Sequence, residues 1–341
     1  MKVVFMGTPD FAVGALEALI ESGHQVAAVV TQPDKPKGRG REVQMTPVKM
    51  CALKHGVPVF QPVKIKEPEA VETLRGYEAD IFVVAAFGQI LSEEILEMPK
   101  YGCVNIHASL LPKYRGAGPI QWAIINGEKI TGVTIMQMDK GLDTGDMLFK
   151  REVEIASDET ADTLHDKLAA AGARLIVEAL AKIGAGDVTP VKQNDEASCY
   201  AKMLSKSMGK IDWRMEAGKL DCLIRGLISW PGASTVYQGK TLKIWREEVV
   251  PEQESAALET LPGQKEEGCA GNGQPGQGKE CLIRNASPGT VVRVDKEAFY
   301  VQTGMGVLKI LAVQPEGKKR MAVKDFLLGY PVKPGDVLGS F

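Results

Sequence analysis

No stretch of this 341-residue chain approaches the ~18 consecutive apolar residues that a membrane-spanning helix requires. The opening Met-Lys-Val-Val-Phe-Met-Gly has too short an apolar run for a secretory signal and reads as a buried strand. The six cysteines include no Cys-x-x-Cys pair, which argues for reduced thiols in a cytoplasm and against a zinc site. The turn Gly7-Thr8-Pro9-Asp10-Phe11-Ala12 lacks the Gly-x-Gly-x-x-Gly spacing, so dinucleotide binding has no support. Between residues 251 and 280 large apolar side chains are nearly missing. Such a segment cannot bury a core and is expected to be a disordered, acidic, Gly-rich loop. The remaining composition is that of an ordinary soluble protein, 44% hydrophobic and 25% charged with a net charge of −2. Its length makes two domains the default.

Residues 2–6 read as a strand, Ala12, Leu16, Leu19 and Ile20 give a helical stripe ending near Gly23, and 25–31 reads as a second strand. A strand-helix-strand opening implies a parallel, Rossmann-like α/β sheet with a right-handed crossover. Further strands are expected at 57–60, 81–86, 102–106 and 133–138, with helices between them. Residues 160–184 predict a long amphipathic helix stopped by Gly184 and Gly186. The chain then turns polar and aperiodic. After Asp212-Trp213 come a helix over 216–228 and short alternating runs at 234–238, 242–246, 289–294, 298–302 and 307–313, the pattern of a small OB-like β-barrel. The expected division is a catalytic domain at 1–189, a linker at 190–207 and a barrel domain at 208–341.

Asn105 and His107 flank Ile106, so on one strand they point to the same face. They fall at the end of an expected parallel strand, where open α/β sheets bind ligands. Taken alone, His107 is more readily a satisfied core histidine, and Asp143 in Gly141-Leu142-Asp143-Thr144-Gly145 is simple turn chemistry. The pair Asn105 and His107 followed by Ser109-Leu110-Leu111-Pro112 shifts the balance. A carboxamide donor, a group titrating near neutrality and a carboxylate to orient it suit acyl transfer to an amine. Cys103, offset by two from Asn105 and without an activating base, reads as core packing.

The runs VNIHASLLPKYRGAGP (104–119) and TGVTIMQMDKGLDTGDM (131–147) resemble the formyltetrahydrofolate-dependent formyltransferases. The likeness spans residues 1 to about 246 and about 287 to 325. It implies a catalytic set of Asn105, His107 and Asp143, and a folate-binding segment of Ser109, Leu110, Leu111 and Pro112. It also implies 10-formyltetrahydrofolate as formyl-donor co-substrate, without a metal. The opening GTPDF followed by TQPD at 31–34 narrows the implied acceptor to initiator methionyl-tRNA.

Two basic constellations are candidate RNA contacts. One is Lys35, Lys37, Arg39 and Arg41 in a Gly- and Pro-bearing loop; the other is Lys318-Lys319-Arg320. From residue 207 onward the chain carries 18 Lys and Arg against 16 Asp and Glu, but leaving out 247–280 gives 16 against 8, a basic barrel. The bland reading of both is a solvated surface. The rivals are an enzyme of the same fold formylating a sugar nucleotide or glycinamide ribonucleotide, and a catalytically dead RNA-binding module. Nothing in the sequence demands more than a monomer.

Overall fold

The strand-helix-strand opening forms as its apolar spacing predicts. In the computed structural model, which describes residues 1–37, 42–251, 253–254 and 286–339, residues 1–123 and 128–203 make one compact unit. Residues 124–127 and 204–341 make the second. The expectation of disorder at 251–280 falls almost wholly outside the described residues. No helix among those described is long and apolar enough to cross a membrane.

In chain order the first unit holds β1 (Lys2–Gly7), α1 (Val13–Glu21), β2 (Gln25–Val30), β3 (Lys35–Lys37), β4 (Glu42–Gln44), α2 (Pro47–Lys54) and β5 (Val59–Phe60). There follow α3 (Pro68–Gly76), β6 (Ile81–Ala85), α4 (Glu93–Leu96), β7 (Cys103–His107), β8 (Arg115–Gly116), α5 (Pro119–Ile125), β9 (Ile130–Gln137), β10 (Met147–Glu154), α6 (Ala161–Ala185) and β11 (Tyr200–Ala201). The main sheet has the order β10-β9-β7-β6-β1-β2-β5. Five strands, β7 through β5, pair in parallel, whereas β9 pairs antiparallel with both β7 and β10. Helices α3, α4 and α5 lie between the expected strands, and a further strand not foreseen, β10, is joined to β9 by the turn 138–146 alone. The strand β10 was missed because MLFKREVE alternates around only a few apolar residues, the mark of an edge strand with one wet face.

The two sheet faces are covered differently. Val4, Met6, Phe82, Val84 and Cys103 pack under α3 and α4. The opposite face meets α6, and a Cβ on Gly172 of α6 would lie 2.8 Å from Ile106 Cγ2. The mid-helix glycine thus lets α6 cross β7 closely between Asn105 and His107, at an intrinsic cost of about 1 kcal/mol relative to alanine. The bounds of α6 were legible. Thr160 and Thr163 form a reciprocal cap, and Gly186 closes the helix at φ +71°. Residues 190–203, expected as a linker, belong to the first unit, where β11 pairs with β8.

The second unit contains α7 (Ala217–Gly226), β12 (Ala233–Tyr237), β13 (Lys240–Val249), β14 (Val291–Val294), β15 (Phe299–Gln302), β16 (Val307–Pro315), β17 (Met321–Ala322) and α8 (Val323–Gly329). Its antiparallel sheet runs β12-β13-β16-β15-β14, with β17 on β16. Bridges from Val236 to Gly339 and from Thr290 to Val337 bring the C-terminal segment against both ends of that order, as barrel closure requires. Trp213, Leu220, Ile244, Phe299, Leu308 and Phe326 fill the interior, and the Trp213 indole donates to Thr235 Oγ1 at 3.0 Å.

One buried group in this unit works against stability. Glu247 is held at about 8, raised first by burial and then by the Asp221 charge, with Arg225 and Arg246 pulling it back. Its Oε2 is buried with no hydrogen-bond partner among the described residues. The folded pKa lies above the ordinary 4.5, so between those values the fold keeps a proton that the unfolded chain has released. Stability from this group is therefore present below that window and lost as pH rises through it. Glu247→Gln removes the effect, and its unfolding temperature should exceed that of the parent by roughly 2–6 °C at pH 8 but not at pH 5. Equal differences at both pH values, read by calorimetry, would refute this.

Candidate active site

The parallel strands β1, β6 and β7 deliver their C-terminal ends to a cavity of about 500 Å³ in the first unit. Asn105 and His107 on β7 line it, as expected from their shared face, and so does Asp143 from the turn after β9. The structure therefore brings Asp143 to two residues more than thirty positions before it in sequence.

His107 is buried, and its Nε2 lies 2.9 Å from the Tyr114 carbonyl oxygen. A carbonyl only accepts, so this nitrogen carries the proton of the neutral ring. Nδ1 is then the position at which the ring takes up or releases a proton. It lies 3.7 Å from Asp143 Oδ2. That carboxylate oxygen also accepts from the Gly116 backbone N–H at 2.8 Å. Segment 114–116 thus grips both polar groups with main-chain atoms. The Asn105 carboxamide, by contrast, has no hydrogen-bond partner among the described residues and faces the cavity.

The turn that presents Asp143 is tightly built. Asp139 accepts from the Gly141 N–H at 2.9 Å and from the Thr144 hydroxyl at 2.8 Å. Gly145 is required, because a Cβ there would fall 1.7 Å from the Gln137 carbonyl oxygen. Asp143 itself sits at φ +54°, a conformation that Asp and Asn tolerate better than most side chains. Gln193 locks the turn from outside. Its Nε2 donates at 2.8 Å to the carbonyls of both Asp143 and Gly145, while Arg115 Nε donates at 2.9 Å to its Oε1. Gln193→Ala deletes all three bonds, together worth a few kcal/mol. We expect kcat to fall about tenfold or more with the acceptor KM within a factor of two. An unchanged kcat would show that the turn holds Asp143 without Gln193.

The wall on the α4 side of the sheet is apolar, formed by Phe87, Leu91, Leu96 and Met138. The loop after β6 that supplies most of it is anchored rather than free. The Phe87 carbonyl accepts from the Thr8 hydroxyl at 2.9 Å, and the Gln89 amide ties to Ile65 N at 2.8 Å and Pro62 O at 3.1 Å. Across the cavity, Phe11 packs edge-on against His165 of α6 with ring centroids 5.6 Å apart.

Ser109, Leu110, Leu111 and Pro112, expected as the folate-binding segment, are not among the residues that line this cavity. Ser109 and Leu111 are fully buried. The Ser109 hydroxyl donates to Lys113 O at 2.6 Å, Leu111 N donates to Thr134 Oγ1 at 3.1 Å, and Lys150 Nζ donates to Leu111 O at 2.5 Å. The Leu111–Pro112 peptide is cis. These hydrogen bonds tie the segment to β9 and β10 immediately before residues 114–116. Cys103 is wholly buried in the sheet, and burial pushes its thiol up to about 12, which suits packing and not nucleophilic attack.

Comparison with known proteins decides the family. The formyl transferase model matches residues 1–180 and the formyl transferase C-terminal domain model matches residues 203–331. The chain belongs to the formyl transferase family. A methionyl-tRNA formyltransferase of Agathobacter rectalis is 51% identical over 335 residues, covering 98% of each chain. One from Alkaliphilus oremlandii is 46% identical over 340 residues and covers all of both chains. Among solved structures, an N-formyltransferase from Helicobacter canadensis, with folinic acid and dTDP-3-aminofucose, superposes with a TM-score of 0.60. It covers 92% of this chain and 99% of its own at 19% identity, a likeness of fold.

For this formyl transferase, three features of the site escaped the sequence reading. The Ala86–Leu91 loop had no chemical signature beyond generic apolarity. The Tyr114 carbonyl and Gly116 N–H act through main-chain atoms, which any residue carries. Gln193 lay in a stretch read as linker.

The basic candidates are dispersed. Lys35 is exposed on β3, which pairs antiparallel with β4. Lys37 lies on the same strand, while Arg39 and Arg41 fall outside the described residues. In the second unit Lys318, Lys319 and Arg320 are exposed in the turn between β16 and β17. The Arg320 guanidinium stacks 5.1 Å over the Trp245 ring, whose N–H donates to Gln314 at 3.1 Å.

Proposed function

We propose that the protein transfers the formyl group of 10-formyltetrahydrofolate to the α-amine of methionine on initiator methionyl-tRNA, giving N-formylmethionyl-tRNA for translation initiation. The observation that carries the chemistry is the Asn105 carboxamide, without a hydrogen-bond partner among the described residues, beside the His107–Asp143 pair in one cavity. A hydrogen-bond donor without an internal acceptor is suited to charge that appears only during reaction. The apolar wall of Phe87, Leu91, Leu96 and Met138 suits the flat pterin of the donor.

The amine attacks the formyl carbon, and the carbonyl oxygen gains negative charge. Asn105 Nδ2–H and a protonated His107 Nδ1–H donate to that oxygen, and Asp143 stabilises the charged ring from 3.7 Å. When the bond to folate N10 breaks, N10 takes up the proton that the amine gives up, relayed by Asp143 and His107 through water. No covalent enzyme intermediate is required.

The acceptor is supported by the near-full-length relatives and by exposed Lys35 on the first unit and exposed Lys318, Lys319 and Arg320 on the second. Lys35, Lys37, Arg39 and Arg41 in the first and Lys318, Lys319 and Arg320 in the second are proposed to meet phosphates of the tRNA. The enzyme is read as cytoplasmic and as active without a partner subunit. The test is transfer from 10-formyltetrahydrofolate to charged initiator tRNA, free methionine and an amino sugar nucleotide. Formylation of the charged tRNA at least 10³-fold more efficiently than the others is expected. Preference for the sugar nucleotide, or tight tRNA binding without transfer, would replace this reading.

A further inference from the structure

We propose that Glu17, Cys51 and His55 form a binding site for a late first-row divalent cation such as zinc or cobalt, on the first unit and apart from the catalytic cavity. None of the three lines that cavity. Cys51 and His55 are one helical turn apart, with His55 at the C-cap of α2, so their side chains share a face. Glu17 reaches them from α1, which packs against α2. One donor atom from each residue, a thiol sulfur, an imidazole nitrogen and a carboxylate oxygen, lies within 4.8 Å of the other two.

A tetrahedral zinc ion with bonds of about 2.0–2.3 Å holds its donors roughly 3.3–3.8 Å apart. Closing the site therefore takes a movement of about 1 Å. The His55 and Glu17 side chains, 24% and 37% exposed, are free to supply it while buried Cys51 stays fixed. The donor set selects the metal: thiolate and imidazole suit zinc, cobalt and their neighbours and disfavour magnesium or calcium. The partial negative charge at the α2 C-terminus favours a cation beside His55. The competing group is Lys54, whose Nζ lies 3.4 Å from Glu17 Oε1. That pair is exposed and worth little, so a metal displaces it readily. The expectation against zinc rested on the missing Cys-x-x-Cys spacing and on a reading of the cysteines as having no histidine nearby. It overlooked a Cys-x-x-x-His pair that becomes a chelate only on a helix, with its third ligand on another helix.

The ion would tie the C-terminal end of α2 to α1. The other end of α2 is already tied to the segment before β3, through Thr46 to Thr31 at 2.8 Å and Lys49 to Asp34 at 2.5 Å.

The test titrates the full chain with cobalt(II), follows the thiolate-to-cobalt charge-transfer absorption, and displaces the cobalt with zinc. One equivalent should give the band, Cys51→Ser should abolish it, and His55→Gln should weaken binding by ~10-fold or more. His55→Gln changes a surface side chain, and an unchanged unfolding temperature in chelator establishes that it folds. A band that survives Cys51→Ser, equal affinity in His55→Gln, or no band in the parent protein would overturn the proposal.

Discussion

Asn105→Ala lowers the single-turnover rate of formyl transfer by about 10²–10³, the usual loss when one oxyanion donor is removed. Folate and tRNA affinities should stay within a few-fold. The reason is geometric. The carboxamide has no hydrogen-bond partner among the described residues, so its removal breaks no internal bond. It is half-buried in the middle of β7, between fully packed Val104 and Ile106, so the strand keeps its register on β6 and β9. Any interaction lost is one formed with the reacting atoms. Rapid-quench kinetics with saturating donor would separate this from binding, and a rate within threefold of the parent would remove Asn105 from the chemistry.

Asp143→Asn has the second large effect, a fall of about 10²–10⁴ in the same rate. The substitution discriminates between two roles. Asparagine tolerates the φ of +54° at this position, and its amide oxygen still accepts from Gly116 N–H. The turn and segment 114–116 therefore survive, while the negative charge 3.7 Å from His107 Nδ1 is lost. A purely structural Asp143 would leave the asparagine variant nearly as active as the parent. A charge that stabilises the cation formed during transfer leaves it slow. Asp143→Ala, which also frees the Gly116 N–H, should be at least as slow and less stable.

Much of this site was legible because its signals are local. Period-two placement put Asn105 and His107 on one face, and the structure has them together at the cavity. Thr160 and the glycines at 184 and 186 bounded α6 to within a residue or two. The parts that were not legible depend on long-range pairing or on main-chain atoms. The antiparallel direction of β9 follows from its place beside β7 and has no sequence signature. The Tyr114 carbonyl that fixes the His107 tautomer could belong to any residue. Gln193 reaches Asp143 across fifty positions, through a segment whose polarity resembled a linker. The hydrogen bonds that tie the Ser109–Pro112 run to Thr134 and Lys150 likewise had no mark in the sequence, because both partners lie on later strands.

The central claim is that Asn105, His107 and Asp143 act as one unit on one developing oxyanion. The most direct test is the single-turnover rate of formyl transfer to charged initiator tRNA by the Asn105→Ala/Asp143→Asn double variant. Residues acting on one transition state lose less together than the product of their separate losses. The double variant should therefore be within about tenfold of the slower single variant. Two independent losses that multiply in full, or a double variant that retains near-parental rate, would contradict it.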